Sequence, residues 1–268
     1  MNERKSYKQD YALKEMKKGQ VTIFVIAAVV IVVGAVLIFL FRGQISETIF
    51  GEVTPNSFLS ECVEDEVRGY VETLAKQGGY NEPEGYIMWK DYRVKYLCYT
   101  SKYYEPCLVQ QPMIKQHFED ELREMIGGSV RGCVQEMKET FEGRGYEVSA
   151  PSSVSYDVKI VPRNIQILVD APISLTKDTT QTFTEFEINM RSEMYGLLMI
   201  ATSIIDYEST YGDSETSIFI QYYPSLIIEK TKLTDGSKIY VVRDVTTHES
   251  FTFASRGLSW PAGYGIYD

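Results

Sequence analysis

Histidine is nearly missing from this chain: 268 residues contain two, His117 and His248, alongside two Trp and four Cys. So few imidazoles leave little from which to build a histidine metal centre, and no H-E-x-x-H stretch occurs. Also absent are the G-x-S-x-G nucleophile elbow and the phosphate-cradling G-x-x-x-x-G-K-[ST] loop. No catalytic residue, cofactor site or metal site is therefore assigned. Positive charge is in deficit, with 27 Lys+Arg against 37 Asp+Glu. An acidic surface repels nucleic acid, which is set aside as a partner. Internal repeats and low-complexity tracts are absent too, and 44% hydrophobic residues suit a folded chain.

The sharpest absence is local. Residues 21–41 (VTIFVIAAVVIVVGAVLIFLF) carry no charge at all. As a helix the run would be about 31 Å long, the thickness of a hydrocarbon core, so the expectation is a single transmembrane helix at 21–41. Residues 1–20 hold six basic and three acidic groups. Retention of positive flanks inside places the amino terminus in the cytoplasm and residues 42–268 outside the cell membrane. That outer part has 21 basic and 34 acidic residues, a net charge of −13. The run exceeds a secretory signal's apolar region, and no A-x-A-like site follows it.

Lys17-Lys18-Gly19-Gln20 abuts the run. This entrance resembles the class III signal of type IV pilin-like proteins, most closely the archaeal form. The resemblance implies a cut between Gly19 and Gln20 by a prepilin-type peptidase. It departs at Phe24, the fifth mature position, where pilins usually carry a Glu that registers the neighbouring subunit. The alternative is an uncleaved anchor. More broadly, the KKGQ start, a CVEDEV helix, the QGGY turn at 77–80, a second helical Cys and a β-rich carboxyl half resemble a family of archaeal single-span envelope proteins. The resemblance carries topology and no activity.

Beyond the leader (1–20) and the apolar run, three regions are distinguished: a helical, four-Cys membrane-proximal part (42–145), a β-rich domain (146–256) and a tail (257–268). Leu59, Val63, Val67, Tyr70 and Leu74 recur at helical spacing, and Gly78-Gly79 ends that helix. Another starts near Pro112 and runs through Phe118 and Leu122 towards Gly127-Gly128; residues 130–141 continue it or restart. An edge strand is expected near 93–99. Strands are expected at 146–149, 153–161, 164–175, 181–190, 217–223, 225–232, 238–246 and 250–254, with one helix at 191–207. Asp235-Gly236 marks a hairpin. The fold class is α+β, an antiparallel sheet with a covering helix.

All four Cys lie beyond the apolar run, and an even count outside the membrane implies disulfides. Of three connectivities, Cys98–Cys107 with Cys62–Cys133 is favoured, the first closing a Tyr-rich turn. No C-x-x-C spacing supports zinc. Acid clusters at Glu61/Glu64/Asp65/Glu66 and Glu119/Asp120/Glu121/Glu124 lack a calcium-loop pattern and read as solvated helix faces. His117 reads as a surface residue and His248 as an ordinary loop residue. Among 20 Tyr, the Cys-bounded Tyr103 and Tyr104 are the candidate contact surface, whereas Tyr222 and Tyr223 read as sheet packing.

The leading functional expectation is a membrane-anchored envelope protein, not an enzyme, acting through contacts. In its most specific form it is a pilin-like or minor-pilin subunit with homo-oligomer or filament partners. A tethered ligand-binding or sensing module that does not polymerise is the alternative, and an extracytoplasmic hydrolase the third.

Overall fold

The computed structural model describes residues 25–37 and 54–257. Residues 25–37 form a helix, α1. Among the described residues no helix is long and apolar enough to cross a membrane, which overturns the single transmembrane helix expected at 21–41. The flanks of that run, the cut at Gly19–Gln20, Phe24 and the tail beyond Gly257 lie outside the described residues.

A separate compact unit begins at Pro55. It contains α2 (Pro55–Lys76), α3 (Ile114–Gly143), α4 (Met194–Tyr211) and a short α5 (Ser217–Tyr222). Its first sheet uses β1 (Tyr86–Trp89), β2 (Tyr92–Tyr99), β3 (Leu108–Val109), β8 (Leu226–Lys232), β9 (Ser237–Asp244) and β10 (Ser250–Arg256). The second uses β4 (Glu147–Ser149), β5 (Ser155–Val161), β6 (Asn164–Thr176) and β7 (Thr180–Arg191). The α+β class stands, but one antiparallel sheet with one covering helix becomes two sheets packed with three long helices.

The first sheet runs β1-β2-β10-β9-β8, with β3 also on β2. Strand β2 is internal, not an edge, and it pairs parallel with β10, so this sheet is mixed. Short turns made an antiparallel partner the natural expectation; a parallel one needs a long crossover, and here the whole segment between residues 99 and 250 supplies it. The change of sequence texture at residue 145 is consequently not a boundary between bodies, since this sheet draws strands from both sides of it.

One apolar core links all three long helices to both sheets. Leu59, Val63, Val67, Val71 and Leu74 form the buried stripe of α2. Along β6, Ile165, Ile167, Val169, Ala171, Ile173 and Leu175 alternate inward. Helix α3 passes uninterrupted through Gly127-Gly128 because the glycine serves packing. A Cβ at Gly127 would lie 2.4 Å from the Tyr156 hydroxyl, which reaches over the helix to donate to the Arg123 carbonyl. Residues 217–222, expected as a strand, are helical, and no strand pairs with them. Pro224 follows one residue after that helix, where it cannot prolong it.

Disulfides join Cys62 to Cys133, stapling α2 to α3, and Cys98 to Cys107, closing the loop between β2 and β3.

Candidate functional site

The loop between Cys98 and Cys107 carries the largest concentration of fixed yet exposed aromatic surface near a covalent constraint. Tyr103 is 50% and Tyr104 44% exposed. Leu108, 72% exposed, stands directly opposite Tyr99 across the β2–β3 ladder and extends the same apolar face. Ordinarily a loop this exposed would be loose. Here Arg256, at the end of β10, organises it: its Nε donates to the Asp235 carbonyl at 3.1 Å and its Nη1 to the Thr100 carbonyl. The guanidinium lies 5.9 Å from the Tyr99 ring centre and 5.7 Å from that of Tyr103, within cation–π range. Thr100 N–H returns a bond to the Arg256 carbonyl at 2.9 Å. Gly257 presses against the disulfide, and a Cβ there would lie 2.9 Å from the Cys107 nitrogen.

Beneath the loop is a buried ionic clasp. Glu208 of α4 is fully buried. Its Oε2 accepts from Lys238 Nζ at 2.6 Å and from Ser255 Oγ at 2.8 Å, while Oε1 accepts from Ser214 N–H at 2.8 Å and from the Tyr240 hydroxyl. Burial and the Glu208 carboxylate push the Tyr240 phenol far above its ordinary range, so it stays protonated and donates to Glu208. Lys238 also donates to the Gly212 carbonyl at 2.6 Å and to Asp213 at 3.1 Å. Burial opposes ionisation of Asp213, but hydrogen bonds from Lys230, Lys232 and Lys238 hold its carboxyl well below the usual carboxylate range. Ser255 Oγ lies 3.7 Å from Cys107 Sγ, which connects clasp to loop. Carboxylate, lysine and serine together suggest hydrolytic chemistry. Yet every Glu208 oxygen is doubly bonded and Ser255 is fully buried, so no substrate reaches them. The cluster is architectural.

A cleft of about 450 Å³ opens elsewhere in the same unit. Val71, Ala75, Met190 and Met194 give it an apolar floor; Arg68, Lys76, His248 and Glu249 stand at its rim. Among the described residues no group of His, Cys, Asp and Glu is arranged to hold a metal ion.

His248 lies on a loop, as its sequence reading has it, whereas His117 departs from its own. His248 sits in the left-handed region (φ 62°) on the β9–β10 turn at the cleft, an unusual conformation for a non-glycine residue. His117 is half-buried, with its Nε2 3.7 Å from Glu121 Oε1. It is packed at 3.9 Å between ring centres against Tyr80, and its Nε2 is buried without a hydrogen bond. Burial lowers its pKa below the ordinary 6.5, against the pull of Glu121 and Asp120. The fold thus prefers neutral imidazole: stability is whole above pH 6.5 and falls as pH drops through the lowered folded value. Denaturant midpoints are expected to decline between pH 7.5 and 5.5, and His117→Gln to flatten that decline; equal slopes in both proteins would refute it.

Tyr222 and Tyr223 do not pack a sheet; they are 77% and 52% exposed at the end of α5. The acid clusters resolve into ion pairs, such as Glu64 with Arg68 and Asp120 with Arg123, and Glu119 turns inward to accept from Ile160 N–H at 2.7 Å. Sequence reasoning missed Arg256 and Glu208. The latter left a signal, an acid four residues after Ile204 on an otherwise apolar helix stripe. Comparison of the chain with family models, with curated proteins and with solved structures finds no match.

Proposed function

We propose that residues 42–268 act outside the cytoplasm as an envelope protein working through surface contacts, with the Tyr103–Tyr104 loop as the contact tip. The observation that carries this reading is an aromatic loop held to solvent by the Cys98–Cys107 disulfide and by Arg256. A tip already ordered loses little entropy on binding, which is how rigid Tyr-rich surfaces gain affinity. Two disulfides and no free cysteine suit an oxidising compartment. The most specific form of the reading is a pilin-like or minor-pilin subunit, matured between Gly19 and Gln20. A second reading, a ligand-binding module that does not polymerise, is favoured by the apolar-floored cleft beside His248.

The test is photo-crosslinking in intact cells from a reactive residue placed at 103. Discrete crosslinked species are expected there, and none from position 147 on the short strand β4. Tyr104→Ala should weaken the product about tenfold. Mass analysis of the same material checks for a mature chain starting at Gln20. No crosslink at 103, with a monomer throughout, would leave the cleft reading in its place.

A further inference from the structure

Sheet edges are where a chain of this kind either blocks or invites pairing. Strand β5 is blocked: Ile160 N–H donates to Glu119 Oε1 at 2.7 Å and its carbonyl accepts from Lys115 Nζ at 3.4 Å, so α3 side chains occupy that edge. Strand β8 carries Lys230 and Lys232, both bonded to Asp213. Strands β1, β3 and β4 have four, two and three residues. Among the described strands, β7 differs. It has 12 residues, contains no Pro or Lys, and pairs with β6 alone. Among the described residues, none of its backbone groups bonds to any other strand, turn or loop.

The charges on β7 are also unbalanced. Glu185, Glu187, Asn189 and Arg191 face outward, while Phe186, Ile188 and Met190 face the core. Glu185 lies directly opposite Asp170 of β6, a like-charge pair that destabilises a ladder. No cation forms an ion pair with Glu185, and Arg191 has none with an acid, among the described residues. Six residues apart on one strand, the two are about 20 Å from each other and cannot meet within a chain.

They meet across a two-fold axis. We infer that β7 is a self-pairing edge, on which a second copy of this chain adds its own β7 antiparallel about Ile188. In that register Glu185 stands opposite the partner copy's residue 191 and Glu187 opposite its residue 189, each pair occurring twice, as an isologous interface requires. The incoming arginine then sits in one cross-strand row with Glu185 and Asp170, giving the acid pair its missing cation. Inward, Ile188 faces its own equivalent, and position 186 faces position 190. A two-residue slip one way sets Glu187 against itself and takes Arg191 away from Glu185; a slip the other way sets Glu187 against Arg191 but carries Glu185 past the strand end, opposite Glu193, so only this alignment gives Glu185 its cation. The inner row is already buried, so backbone hydrogen bonds and the outer charges carry the association, which is correspondingly modest. It stands apart from the Tyr103–Tyr104 proposal and fails or holds separately.

The experiment is mass determination of the full chain in detergent across a concentration series. Wild type is expected to dimerise below about 100 μM. Glu185→Lys and Arg191→Glu should each weaken the dimer tenfold or more, and the double reversal should restore it to within about threefold of wild type. As a second readout, Glu187→Cys with Asn189→Cys should give an intermolecular disulfide on oxidation, through residue 187 of one copy and 189 of the other. A monomeric wild type, a dimer indifferent to either single reversal, a failure of the double reversal to restore it, or no disulfide would each overturn the inference. Strand addition by a foreign segment would appear as the first of these.

Discussion

Replacing Lys238 with Met is expected to destabilise the Pro55–Gly257 unit by about 3–5 kcal/mol, a large share of a typical domain's stability. The methionine fills similar volume, so packing alone changes little. What changes is the charge balance around Glu208. The Lys238 ammonium lies 2.6 Å from both Glu208 Oε2 and the Gly212 carbonyl, and both carboxylate and ammonium are withdrawn from water. Without it a buried carboxylate keeps only hydroxyl and amide donors, and an uncompensated buried charge costs far more than the pair was worth. The midpoint of urea unfolding should fall with little change in slope. Adding Glu208→Gln to the Lys238→Met protein should recover part of the loss, because the neutral amide no longer needs a cation. A loss under about 1 kcal/mol for Lys238→Met would show that water supplies what the lysine does, and the clasp would not be structural.

The second large effect concerns the disulfides, and its value lies in the contrast between them. Removing Cys62–Cys133 by paired Ala substitutions releases a 71-residue separation and should cost about 4 kcal/mol; removing Cys98–Cys107, with a separation of nine, should cost about 3. The first pair holds α2 against α3 at the edge of the core, with Cys133 buried and Cys62 partly buried, so its loss adds some cavity to entropy. The second holds only the contact loop. Thermal unfolding of the two double-Ala proteins is therefore expected to rank Cys62/Cys133 below Cys98/Cys107, with crosslinking from position 103 lost in the latter while its fold persists. The reverse order would mean that the loop disulfide, through Ser255 and the clasp, anchors more of the fold than its length suggests.

Which of these features could be read from the chain follows from how local their causes are. The stripe of α2, the alternation of β6 and the Asp235-Gly236 hairpin are written in neighbouring residues. The hairpin's Gly236 takes φ 86° and Asp235 accepts the Ser237 N–H at 3.0 Å, as such a turn demands. The Cys98–Cys107 loop was legible because nine residues leave few alternatives. The pairing of β2 with β10 was not, since nothing near either strand announces a partner some 150 residues away. Gly127-Gly128 read as a helix end because sequence shows a missing side chain but not the Tyr156 ring that replaces it. Residues 217–222 alternate like a strand, yet six residues cannot decide between a strand and a turn of helix without a neighbour to pair with. The apolar run suggested a membrane span by its length alone, and among the described residues no helix is long and apolar enough to make one. Of the candidate contact surface, Tyr103 and Tyr104 were visible and Arg256, which fixes them, was not.

The parallel seating of β2 beside β10 has a consequence for biosynthesis. Strand β2 is made early, but its neighbour toward the sheet interior follows all the other described strands. At roughly 5–20 residues per second a ribosome needs about 8–30 s to travel from one to the other. Throughout that interval Val94 and Leu97, fully buried in the finished unit, have only the short strands β1 and β3 beside them. The sheet closes only once residues 250–256 have been made.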